Sequence, residues 1–132
     1  MISNLGDWLG FDTIIENDQR IYALAFGEEH IGNPLIRALH GGVLGTFMEY
    51  AALRELSHLS GNMTEYETIN VSVDYLRSAK AKDLRAKVKV VKKGRNLIVV
   101  DVITWQSDVN KPVARATCSL VAQSEPVGSA RR

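Results

Sequence analysis

The sequence predicts an α+β domain in which one long central helix lies against an antiparallel sheet. Three observations carry that prediction. Residues 41–59 form one uninterrupted helix candidate, two strand-like runs precede it and four follow it, and residues 84–90 alternate apolar with basic side chains. A period of two is what a strand covered on one face requires, and one helix packed on such a sheet is a stable two-layer solution.

Taken in order, residues 11–16 and 20–26 read as two short strands joined by the polar Asn17-Asp18-Gln19, where a tight hairpin turn is expected. Residues 27–39 contain Gly32, Asn33 and Pro34 and keep no period, so they are expected to be a connection with room for a short helical turn. The helix candidate is rich in Leu, Met, Ala and Glu, holds no proline, and meets a stop signal at Gly61-Asn62. Its first half is apolar nearly all round, which predicts burial, and Arg54, Glu55 and His58 are expected to define its wet face. Strands are then expected over residues 67–77, 84–92, 96–106 and 112–122, with turns at Lys93-Gly94-Arg95 and at residues 107–110.

A chain of 132 residues, 45% hydrophobic, can bury a core without disulfides or metal, so one domain over residues 1–123 is expected. Residues 124–132 offer little to bury and read as a flexible tail. Sixteen basic against 15 acidic residues leave a formal net charge of +1, which argues against a nucleic-acid or anionic-membrane partner. The lone Cys118 has no disulfide mate, no cysteine cluster has zinc spacing, and no stretch reads as a membrane span or an export leader. A cytoplasmic protein without metal or bound cofactor is expected.

The segment His40-Gly41-Gly42-Val43-Leu44-Gly45-Thr46-Phe47-Met48-Glu49 carries the chemistry. Glycines at a helix start let another molecule approach the backbone, and first-turn N–H groups are unpaired and partly positive, suited to an oxyanion. Glu49 shares a helical face with Gly45, Thr46, Ala52, Leu53 and Leu56 and is expected to point inward, where a carboxylate is costly unless paired or functional. Gly41 and Glu49 are eight residues apart, about 12 Å along one helix, so one chain cannot aim both at a single carbonyl. If both act, they act from two subunits, and a symmetric dimer is the smallest active unit.

Together with residues 68–79 and the Lys93-Gly94-Arg95 turn, this segment resembles the hot-dog-fold thioesterases related to the phenylacetic-acid-pathway enzyme PaaI. The resemblance spans roughly residues 10–123 and implies a sheet wrapped around one central helix, hydrolysis of an acyl-CoA by a homodimer or a dimer of dimers, and CoA only as part of the substrate. It implies that Gly41 donates its N–H to the thioester carbonyl and that Glu49 is nucleophile or general base. Many relatives carry Asp where this chain has Glu49. They often place Asn where Pro34 stands, which makes the neighbouring Asn33 the candidate substrate-orienting donor. Thr68 falls where some relatives keep a hydroxyl for the hydrolytic water.

His40 is expected mainly to hold the helix start, with a catalytic-base role as the sharper alternative. Cys118 lies on an alternating strand and reads as core. Nine of the 16 basic residues fall between Arg77 and Arg95, and Arg77, Lys80, Lys93 and Arg95 sit at predicted strand ends and turns suited to the phosphates of CoA. A solvated strand face explains Arg85, Lys87 and Lys89 equally well. Two other functions fit the pattern: a non-catalytic acyl-CoA-binding protein, and a dehydratase or hydratase. The second is opposed by spacing, since the fatty-acid-synthesis dehydratases put histidine about 14 residues before the helix carboxylate, where this chain has Leu35.

Overall fold

The structure is a computed structural model that describes residues 11–25, 31–33, 38–39 and 41–123. Strands β1 (Phe11–Glu16) and β2 (Gln19–Leu24) form the expected hairpin. Its turn is two residues, with Gln19 already in β2, because Asn17 and Asp18 take φ of 51° and 64°. That left-handed pair is what matches a two-residue turn to the twist of its strands, and Asn and Asp tolerate it best after glycine.

The short helical turn expected in the connection that follows lies outside the described residues, which show a feature that the sequence pattern did not predict. The connection holds two short strands, β3 (Ile31–Asn33) and β4 (Ala38–Leu39), which pair with each other in a separate antiparallel ladder. Helix α1 (Gly41–Leu59) matches its predicted bounds. It ends because Gly61 adopts φ +67°, which lets the Gly61 N–H reach the His58 carbonyl at 3.0 Å and the Asn62 N–H reach that of Ser57 at 2.8 Å. Two carbonyls of the last turn are satisfied this way.

Strands β5 (Tyr66–Tyr75), β6 (Leu84–Lys93), β7 (Leu97–Trp105) and β8 (Ala114–Ala122) complete a six-stranded sheet of order β1-β2-β6-β7-β8-β5, antiparallel throughout. The alternation in β6 is realised: Leu84 and Ala86 are buried under the helix, whereas Arg85, Lys87 and Lys89 face away. Register shifts at Thr68/Asn70 and Val90/Lys92 leave Ile69 and Val91 as extra residues, both exposed. An unpaired bulge residue has no ladder partner to cover it, which accounts for two apolar side chains on the surface.

The core lies between α1 and the sheet. Val43, Leu44, Phe47, Met48, Ala51, Ala52 and Leu56 form the buried stripe of the helix, against Val100, Val102, Ala116, Cys118 and Leu120 of β7 and β8. Thr104 is a fully buried polar residue whose hydroxyl donates to the Arg85 carbonyl at 2.7 Å. A buried hydroxyl without such a partner would cost stability.

This packing corrects the expected helix faces. Glu55 was expected on a wet face with Arg54 and His58; instead it turns toward β2 and all three are half-buried. Glu49 was expected to point inward; it is half-buried on the flank of the stripe. The physical reason is that the first half of α1 is apolar on nearly every side, so its pattern left the buried face open and contact with the sheet decided it.

Candidate active site

Gly41 and Gly42 form the exposed first turn of α1. A Cβ on Gly42 would meet nothing within 4 Å, so this side of the helix start is open. At Gly41 the neighbour is Tyr75, the last residue of β5. Its hydroxyl donates to the Gly41 carbonyl at 3.0 Å, and a Cβ on Gly41 would lie 3.4 Å from that oxygen and 3.5 Å from the ring. The sequence offered no signal for this contact, because 34 residues separate the pair.

Glu49 continues the row Gly41, Gly45, Glu49, each four residues from the last and therefore on one side of the helix. Its charge is felt at Cys118 on β8, whose thiol is pushed up to about 11, first by burial and then by Glu49 and Asp101. A buried thiol held protonated is a core side chain rather than a nucleophile. Thr68 pairs with Leu120 across β5 and β8, and its hydroxyl oxygen is buried with no hydrogen-bond partner among the described residues. Asn33 ends β3, but its side chain lies outside the described residues, as does His40 altogether.

The second half of α1 carries a polar cluster that the sequence reading missed. Arg20 holds the Glu55 carboxylate by two hydrogen bonds, of 2.9 and 3.0 Å, and the Tyr22 hydroxyl donates to it at 2.8 Å. Glu55 raises the Arg20 guanidinium against the opposing effect of burial, while burial and the same carboxylate push the Tyr22 hydroxyl well above its ordinary range. His58 is lowered, mainly by burial and then by the charges of Arg54 and Arg20.

The four basic residues expected to meet phosphate fall into two groups. Arg77 and Lys80 follow β5, at the end of the sheet where Tyr75 meets the helix start; Arg77 donates to the Pro112 carbonyl at 2.6 Å. Lys93 and Arg95 lie in the β6–β7 turn, at the other end of β6, about 30 Å away at ~3.3 Å per strand residue. Within one chain the two groups cannot grip the same phosphate.

A cavity of about 610 Å³ opens where β2 separates from β6 and is lined by Arg20, Glu55, Lys87, Lys89, Asp101 and Arg115 among others. None of the expected site residues that the structure describes lines it. Among the described residues, no group of three or more His, Cys, Asp or Glu is placed to hold a metal, and no helix is long and apolar enough to cross a membrane.

Comparison with known proteins gives these features a family. Solved structures of similar shape include a protein from the thioesterase superfamily, 28% identical, covering 91% of this chain and 89% of its own, with a TM-score of 0.79. A Bacillus halodurans protein solved with CoA is 21% identical, covers 92% and 80%, and has a TM-score of 0.82. A phenylacetic acid degradation-related protein from Ralstonia eutropha is 21% identical, covers 89% of each chain, and has a TM-score of 0.78. Among curated proteins none matches. The acyl-CoA thioesterase N-terminal domain family matches residues 32–121, well over half of the chain and including all of α1, so the chain belongs to that family and has the hot-dog fold of the thioesterase superfamily.

Proposed function

We propose that the chain is an acyl-CoA thioesterase that hydrolyses a small or medium acyl, or aryl-acyl, CoA thioester, and that residues 1–123 form its single domain. The observation that carries this reading is the family match across residues 32–121, which contains the open helix start and Glu49 on one row of the same helix. Gly41 donates its N–H to the thioester carbonyl, where fixed donors stabilise the oxyanion of the tetrahedral intermediate. Glu49 of the other subunit attacks the carbonyl or activates water. Thr68 holds that water, while Asn33 and His40 orient the substrate and the helix start.

The dimer supports the same chemistry. Strand β5 is an edge of the sheet, ten residues long, with Ile69, Tyr75 and Leu76 exposed on or beside it. A long, exposed, partly apolar edge is a template for another strand. Pairing β5 with its two-fold copy extends the sheet and lays the two helices antiparallel, which turns each Glu49 toward the partner's helix start. The same axis brings the partner's β6–β7 turn, with Lys93 and Arg95, to the end that holds Arg77 and Lys80. The four basic residues then serve the CoA phosphates as two groups from two subunits. The Bacillus halodurans neighbour solved with CoA is in keeping with that ligand.

A thiol-release screen over acyl-CoAs of increasing chain length, with aryl-acyl members, tests the reading. Glu49→Gln is expected to keep the fold and CoA binding and to lower turnover by orders of magnitude. Unchanged turnover in that variant would remove Glu49 from the mechanism, and CoA binding without thiol release by the wild type would favour a non-catalytic acyl-CoA-binding protein.

A further inference from the structure

Tyr75 ends β5 directly over the first turn of α1. Its hydroxyl donates to the Gly41 carbonyl at 3.0 Å, and the same oxygen would lie 3.4 Å from a Cβ on Gly41 and 3.9 Å from one on Gly45. The ring therefore lies along the glycine row that leads to Glu49. It is not there to fill the core, since 56% of the residue remains exposed. A tyrosine that only plugged a gap would be buried.

Gly41 has no Cβ to restrict its own backbone, so its conformational freedom must be removed from outside. Two contacts do this: the ring against Gly41, and the hydroxyl on its carbonyl oxygen, which has a second lone pair free for such a donor beside the ordinary helical bond. A donor on a carbonyl also draws electron density from the N–H of the same peptide. Here that N–H belongs to Gly42, an exposed residue at which an added Cβ would meet nothing within 4 Å.

We infer that Tyr75 is a positioning residue for the thioester site: it locks the Gly41–Gly42 peptide, which fixes the turn that carries the Gly41 N–H donor, and it polarises the Gly42 N–H as a second donor beside it, so that both are aimed before the substrate carbonyl arrives. This inference rests on the thioesterase reading above. Tyr75 also ties that turn to the edge strand at which the subunits meet, so the donor and the partner's carboxylate are held by one element.

Tyr75→Phe keeps the ring and removes only the O–H. With the oligomer intact and an acyl-CoA that the wild type hydrolyses, the expected result is a fall in kcat of about tenfold with KM held, the mark of an interaction that matters in the transition state. The Gly42 amide resonance of the same variant, followed by nitrogen–proton NMR without substrate, is expected to move upfield in the proton dimension. Tyr75→Ala, which also removes the ring, is expected to lower kcat further. An active wild type whose kcat stays within about twofold in Tyr75→Phe overturns the inference and leaves the thioesterase reading intact. An unmoved Gly42 amide overturns the polarisation whatever the activity. A wild type that releases no thiol from any acyl-CoA sinks the thioesterase reading, and the catalytic part of this inference with it.

Discussion

Arg20 holds Glu55 through two parallel hydrogen bonds, Nε to Oε1 at 2.9 Å and Nη2 to Oε2 at 3.0 Å, tying β2 to the second half of α1 across 35 residues. Side-chain exposures of 28% and 15% leave the pair part-buried, on the wall of the cavity. Arg85–Glu16, at 2.7 Å, is shorter but 39% and 50% exposed. Burial, not length, decides which pair matters. Glu55→Gln leaves the Arg20 charge without its counterion and is expected to cost about 1.5–3 kcal/mol. Glu16→Gln is expected to cost under about 1 kcal/mol. Urea unfolding of both variants compares them, and equal losses would remove the distinction.

Two glycines are expected to respond oppositely to the same substitution. Gly61 sits at φ +67°, so Gly61→Ala forces a left-handed alanine and is expected to destabilise by about 1 kcal/mol although no atom crowds the new methyl. Gly42→Ala also meets open space, but at a helical φ. It is expected to stabilise the chain by up to about 1 kcal/mol, because alanine is the better helix former. Turnover of Gly42→Ala is nevertheless expected to fall, since the methyl stands where the substrate approaches. Melting temperature and thiol release on the same preparation check both.

Cys118 is expected to resist alkylation in the native protein at pH 8 and to react once the chain is unfolded, because burial holds its proton to about pH 11 against an ordinary 9.0. The linkage has a definite sign. In this range the unfolded chain loses the proton first, so the contribution to stability is complete below pH 9 and is lost as pH rises toward 11. Denaturation midpoints of the wild type and Cys118→Ala between pH 8 and 11 are expected to converge as pH rises.

Ile69 is 58% exposed at the β5 bulge, so Ile69→Asp is expected to leave the stability of the single chain within about 0.5 kcal/mol. If subunits meet along this edge, a charge there weakens their association, and turnover falls with it. Sedimentation and thiol release over a range of protein concentrations follow the two together. An unchanged dimer would move the interface away from β5.

Local pattern sufficed for a good part of this protein. The 41–59 helix, its glycine stop, the turn at Asn17-Asp18 and the alternating strand at 84–90 were legible because propensity, capping and side-chain period act between near neighbours in the chain. The segment His40-Gly41-Gly42 to Glu49 pointed to the family for the same reason: its meaning lies in a fixed spacing on one helix. The connection after β2 was not legible, since the β3–β4 ladder spans few residues and carries no period.

Tertiary contact decided the rest. A helix start that is apolar on nearly every side has no preferred face, and only contact with the sheet sent Glu49 to the flank and Glu55 toward Arg20. Tyr75 over Gly41, and the division of the basic residues between two ends of the sheet, follow from where strands begin and end in space. Such relations join residues some 35 positions apart, beyond the reach of any periodic pattern, and exist only once burial of the shared core has brought the elements together.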